Sequence, residues 1–126
     1  MAQRLNQMGF RVYATVLKAD SPRAEELKTS ATFADKMIVF QMDVTNDSEV
    51  NEVYERVRDD LQRSGHQLWS VVNNAGAFLF CPLDWGTVDT YRNIFEVNVF
   101  GTVGVTRVFL PLIRASKGIK KFKSLK

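Results

Sequence analysis

Three polar constellations in this 126-residue chain stand where packing alone does not require them. Asn73-Asn74-Ala75-Gly76 closes the apolar run Leu68-Trp69-Ser70-Val71-Val72. Amides offer donors and acceptors together, and Ala-Gly lets a backbone approach a bound group closely. A strand-ending turn is the simpler reading of those four residues alone. Asp43-Val44-Thr45 follows another apolar run, Met37-Ile38-Val39-Phe40. Its carboxylate either meets a ligand at the carboxyl end of a strand, where open α/β sheets bind them, or supports the N-terminus of the next helix. Taken alone, the helix role is favoured. Asn98 lies among Phe95, Val97, Val99 and Phe100, so an inward-facing amide is expected. A buried amide must be hydrogen-bonded, which points to a helix kink held by that amide or by a water. One Cys and one His are too few for a structural metal site, so no metal is expected.

The elements that must position these residues alternate between short apolar runs and amphipathic helices, as βαβ units do. Residues 2–8 read as a helix end with Gly9 beyond it, and Arg11 to Leu17 as a strand. Ser21-Pro22 supplies an N-cap and a first-turn proline for a short helix through Ala24 and Leu27. Lys36 to Met42 is the second strand. Asn46 and Glu49 have capping-box spacing, and Val50, Val53, Tyr54, Val57 and Leu61 recur at helical intervals until Gly65 stops the helix. Leu68 to Val72 is expected to be a third strand. The apolar loop from Ala77 to Trp85 leads to a helix that starts at Thr87 and runs to about Ile113, bent at Gly101, Gly104 or Pro111. Three near-continuous apolar strands separated by helices predict an α/β fold with a parallel sheet covered on both faces.

The composition is 45% hydrophobic and 25% charged, ordinary for a globular domain. No apolar run reaches the roughly 18 residues of a membrane span, and Met1 to Asn6 has no apolar signal core. Cys81 alone cannot close an internal disulfide. An intracellular, reducing setting is therefore expected. The net charge of +3 is uneven, because residues 114–126 hold six basic groups and no acid. The remainder has 11 basic against 14 acidic residues, a net of −3. A solvated tail is the simpler reading of residues 119–126, and nucleic acid is not the expected partner.

Asp43-Val44, Asn73-Asn74-Ala75-Gly76 and Val97-Asn98-Val99-Phe100-Gly101 together resemble the short-chain dehydrogenase/reductase family, over roughly residues 2 to 118. Within it, Gly9 to Leu17, Phe40 to Thr45, Pro82 to Trp85 and Phe109 to Ile113 look like the retinol and hydroxysteroid (17-beta-type) dehydrogenase branch. The resemblance implies a partial Rossmann-type domain over residues 1–118. In the strand order 3-2-1-4-5-6 it holds the second, third and fourth strands, with the central first strand missing. Unpaired buried backbone groups cost about 1–3 kcal/mol each, so a marginal fold is expected.

The same resemblance assigns roles. It implies that Asp43 and the Val44 amide contact adenine, and that Asn74, Ala75 and Gly76 lie along the nucleotide ribose. It implies that Phe78, Leu79, Phe80 and Leu83 wall a pocket for a steroid- or retinoid-like substrate; the alternative is that they cover the sheet edge. Asn98 matches an asparagine that fixes a water beside the family's catalytic lysine. The cofactor implied is NAD or NADP. Asp20, beyond the first strand, favours NAD through its ribose hydroxyls and Lys18 favours NADP, with the balance leaning to NAD. The branch is commonly attached to the endoplasmic reticulum. No glycine-rich loop precedes the first helix, and none of Tyr13, Tyr54 and Tyr91 has a lysine four residues later. A chain truncated at both ends and catalytically incomplete is therefore expected, or else an interaction protein that pairs with a full-length relative as a non-catalytic subunit.

Overall fold

The computed structural model describes residues 1–116, so the basic tail lies outside the described residues. Its elements are α1 (Ala2–Gln7), β1 (Val12–Val16), α2 (Pro22–Thr29), β2 (Met37–Gln41), α3 (Asp47–Ser64), α4 (Val88–Phe95) and α5 (Thr102–Ala115). Short 3-10 turns occupy Ala34–Lys36 and Leu83–Trp85. A π-helical segment, Glu96–Gly101, joins α4 to α5.

Local chemistry sets most boundaries as expected. Ser21 Oγ accepts from the Ala24 amide at 3.2 Å with Pro22 in the first turn of α2. Asn46 Oδ1 accepts from the amides of Ser48 and Glu49 at the start of α3. Gly65 ends α3 in the left-handed region (φ 70°), where a side chain would be strained. Thr87 Oγ1 accepts from the Thr90 amide at 3.2 Å to open α4.

Strands β1 and β2 pair in parallel, from Val12 opposite Met37 to Val16 opposite Gln41. Helix α2 packs on β2. On the opposite side Phe40 and Met42 meet Val50, Val53, Val57 and Leu61 of α3 and Val105 and Phe109 of α5 in one buried cluster. Tyr54 meets Phe109 edge-on at 5.6 Å, and Tyr13 stacks on Phe40 at 6.4 Å. At the other end α1 is fastened by Asn6, which is fully buried. Its Nδ2 donates to the Phe33 carbonyl and its Oδ1 accepts from the Phe33 amide, both at 2.9 Å.

Two expectations need correction. Leu68 to Val72 carries no regular secondary structure, and the sheet among the described residues has two strands. In the order 3-2-1-4-5 a fourth strand pairs with the first and fifth, and the described residues supply neither. The segment is nevertheless neither helical nor antiparallel to β1. Leu68 and Val71 still pack on the core, and Trp69 stacks on Phe10 at 5.9 Å. The second concerns membranes: the helix Val88–Ala115, 28 residues, is long and apolar enough to cross one by length and composition alone, a test that the core helix of a soluble protein also passes. Charged residues at 89, 92, 96, 107 and 114 break its sequence into short apolar runs, which is why no long run stood out. Its Val105 and Phe109 serve the core described above.

Candidate cofactor-binding edge

The loop after β2 is a small hydrogen-bonded knot. The Met42 amide donates to the Val16 carbonyl at 2.9 Å, tying the loop's start to β1. Asp43 Oδ1 accepts from the Thr45 amide (2.9 Å) and hydroxyl (2.8 Å), closing an Asx turn. The Asp43 amide donates to Glu49 Oε2 at 2.7 Å, while the other Glu49 oxygen accepts from Asn46 Nδ2 at 3.1 Å. The Asp43 carboxylate makes no hydrogen bond to the first-turn amides of α3 among the described residues; Asn46 accepts from those. Among the groups of this loop without a hydrogen-bond partner among the described residues are Asp43 Oδ2 and the Val44 N–H. One accepts and the other donates, on consecutive residues just beyond the carboxyl end of a parallel strand.

The paired-amide loop is held from behind by the long helix. Asn98 Oδ1 accepts from the Ala77 amide at 2.9 Å, and its Nδ2 donates to the Ala77 carbonyl at 2.8 Å. Asn73 Nδ2 donates to Thr106 Oγ1 at 2.9 Å, and that hydroxyl donates to the Thr102 carbonyl. Asn98 lies within the π-helical segment and is exposed, which corrects the expectation that it faces inward. The described residues place nothing over the loop it holds. Both its polar atoms are paired with Ala77 of the loop, and not with the backbone of its own helix. Asn74, Ala75 and Gly76 are exposed. A Cβ at Gly76 would meet Asn98 Oδ1 at 3.5 Å, an ordinary contact, so packing within the chain does not demand a glycine there.

Lys18 and Asp20 are exposed beyond β1, next to the Ala19 amide that donates to Gln41 Oε1 at 3.2 Å. Phe78, Leu79, Phe80 and Leu83 are exposed, Phe80 at 97% and Phe78 at 88%. No cluster of three or more potential metal ligands occurs among the described residues.

The sequence reading missed one charged tie. Arg11 Nε and Nη2 donate to Asp60 Oδ2 (2.9 Å) and Oδ1 (3.0 Å), and the Tyr13 hydroxyl donates to Oδ2 at 2.6 Å. The Tyr13 hydrogen bond, then Arg11, hold the Asp60 carboxyl below its ordinary range against the opposing effect of burial. Burial, followed by the bond to Asp60, pushes the Tyr13 phenol up to about 12. No local pattern announced this tie, because the acceptor lies 47 to 49 residues away.

The profile of the short chain dehydrogenase family matches residues 1–119. The chain is 43% identical over 120 residues to estradiol 17-beta-dehydrogenase 2 of Rattus norvegicus, covering 94% of this chain and 30% of the relative. It is 36% identical over 118 residues to the mitochondrial D-beta-hydroxybutyrate dehydrogenase of the same species, covering 94% of this chain and 34% of that one. The chain thus spans about a third of the length of these relatives. In three dimensions it matches an alcohol dehydrogenase from Thermococcus sibiricus, solved with 5-hydroxy-NADP, at a TM-score of 0.77 and 24% identity, over 93% of this chain and 48% of that one. That likeness shows the Rossmann-type fold, and the family match over residues 1–119 establishes that the chain belongs to the short chain dehydrogenase family.

Proposed function

We propose that this chain forms the adenosine-binding edge of an oxidoreductase that interconverts hydroxyl and carbonyl groups on a steroid- or retinoid-like substrate with a nicotinamide cofactor. The observation that carries the reading is the unused pair at the end of β2, Asp43 Oδ2 and the Val44 N–H. Adenine presents an amino donor beside a ring-nitrogen acceptor, and this pair is its complement. The ribose would run along Asn74, Ala75 and Gly76, whose loop Asn98 and Asn73 fasten. The exposed Phe78, Leu79, Phe80 and Leu83 support a lipid-like substrate over a small hydroxy acid, since apolar rings offer nothing to a carboxylate. Endoplasmic reticulum attachment goes with that substrate class and belongs to the same proposal.

The nicotinamide group supplies the hydride chemistry when bound. The residues here contribute binding and orientation, and no residue is assigned to proton transfer. None of the three tyrosines has a lysine four positions on to lower its pKa, so the 126-residue chain alone should not turn over. Titration with AMP tests the binding half. Wild-type chain should bind it, and Asp43→Ala should weaken binding about threefold to tenfold, the worth of one hydrogen bond. Equal binding by both would refute the assignment. Competition between AMP and 2′,5′-ADP decides the cofactor: Asp20 predicts that AMP wins. Robust steroid or retinol oxidation by the purified chain would overturn the proposed incompleteness.

A second reading has its own observation. β1 pairs with β2 alone, which leaves its other edge open among the described residues. Open edges recruit strands from other chains, so pairing with a full-length relative is the alternative. Co-purification at a fixed stoichiometry would support it, and a clean monomer in the presence of that relative would exclude it.

A further inference from the structure

Gly101 has ordinary right-handed helical dihedrals (φ −60°, ψ −44°), so the backbone there does not need a glycine. Space does. Gly101 is buried, and a Cβ built on it would lie 2.7 Å from Val44 Cγ2, 3.1 Å from Val44 Cβ and 3.1 Å from the Val44 carbonyl oxygen. Rotating the valine side chain would relieve the first contact alone. The other two involve atoms that do not turn with it, so an alanine at 101 presses on the Cα and carbonyl of residue 44, which must give by a few tenths of an ångström.

Val44 is also the residue of its loop that hydrogen bonds leave loose. On either side, the amides of Met42, Asp43, Thr45 and Asn46 donate to the Val16 carbonyl, Glu49 Oε2, Asp43 Oδ1 and the Asp43 carbonyl. The Val44 amide has no such acceptor among the described residues; its peptide plane is held through the Asp43 carbonyl, and residue 44 beyond that plane is held by its contact with Gly101. We propose that Gly101 is a positioning residue: its bare backbone, at the end of the π-helical segment, is the stop against which the Val44 amide is set for adenine. The inference rests on the nucleotide reading above and adds to it a residue that reaches the ligand only through another. It also gives the π-helical segment two tasks three residues apart, since Asn98 holds the paired-amide loop and Gly101 seats the loop after β2.

The test compares wild type, Gly101→Ala, Gly104→Ala and the double variant Gly101→Ala/Val44→Ala by two readouts, AMP titration and the amide signal of residue 44 in a ¹⁵N-resolved spectrum. A Cβ at Gly104 would meet nothing nearer than Asp47 Oδ1 at 4.0 Å, which makes Gly104→Ala the control for helix propensity. Gly101→Ala should shift the residue-44 amide and weaken AMP binding about threefold to tenfold. Gly104→Ala should do neither, and the double variant, with the valine methyls gone, should recover part of the lost affinity. If Gly101→Ala fails to fold, Gly104→Ala must still fold; failure of both would place the loss in the helix and not in the contact with Val44, and overturns the proposal. An unmoved residue-44 amide in Gly101→Ala overturns it as well. Absence of AMP binding by wild type would refute the nucleotide reading instead, and the amide signal would then decide by itself whether Gly101 seats Val44.

Discussion

The two halves of the sheet's carboxyl edge are built differently. After β2, the loop from Met42 to Asn46 is locked by bonds to β1, to its own aspartate and to Glu49 of the helix that follows. After Gly65, the stretch up to Pro82 has no ladder and hangs on Leu68 and Val71 in the core, on Asn73 to Thr106 and on Ala77 to Asn98. One loop takes its shape from neighbours in sequence. The other borrows it from a helix 21 to 33 residues ahead. Local knots survive the loss of distant partners, whereas borrowed shape lasts only while the lender is in place.

The largest effect that could break this contrast is in the core. Phe109→Ala, which removes a buried ring shared by α5, Tyr54 and the α3 face, should cost roughly 3–5 kcal/mol in chemical denaturation. Phe80→Ala, at a ring 97% exposed, should stay within about 0.5 kcal/mol. Comparable losses would mean the apolar loop is packed after all. Next in size is Asn6→Ala, which leaves the Phe33 amide and carbonyl without their buried partner at about 1–3 kcal/mol for each unsatisfied group. Its expected signature is a lowered denaturation midpoint with the AMP affinity unchanged, because α1 lies away from the nucleotide edge.

The tie between β1 and α3 sharpens the same comparison through pH. Asp60 is held below its ordinary carboxylate range, first by Tyr13 and then by Arg11. Its stabilisation is therefore complete above the unfolded value and is lost as pH falls through the folded one. Tyr13 is raised to about 12, so its share is present below the unfolded value of about 10 and disappears as pH climbs from there through 12. Asp60→Asn should flatten the acid limb and reduce the alkaline one only in part, because burial, the larger cause of the Tyr13 shift, remains. An unchanged acid limb would show that the tie contributes nothing in solution.

The pattern of what was legible in the sequence follows from these distances. Ser21, Asn46, Gly65 and Thr87 act within three or four residues, and each boundary was readable. Val50, Val53, Val57 and Leu61 declared the core face of α3 through their spacing. Asp43-Val44 and the paired amides were readable as a site only through likeness to a family, because their chemistry taken alone is that of turns. Arg11 with Asp60, and Asn6 with Phe33, were invisible because pairs separated by 27 to 49 residues leave no local pattern. Leu68 to Val72 misled for the opposite reason. Its composition states a preference for a strand, but a ladder needs a neighbour, and composition does not report whether one is there.

Asn98 carries the smallest and most discriminating prediction. It is exposed, so Asn98→Ala removes two hydrogen bonds to Ala77 without creating a dry orphan, and the global cost should be only about 0.5–1.5 kcal/mol. The local cost should be larger in kind. With the clamp gone, the Ala77 amide should exchange its hydrogen at close to the rate of an unfolded chain, and limited proteolysis should move into residues 73–80. Amides of the knot after β2, such as Asp43 and Thr45, should keep their protection because their acceptors are Glu49 and Asp43 itself. If both loops loosened together, Gly101 and Asn98 would be transmitting one strain through the π-helical segment, and the two halves of the edge would be a single unit. If only the paired-amide loop loosened, the borrowed half would be separable from the local one, and the nucleotide's adenine and ribose ends would be positioned independently.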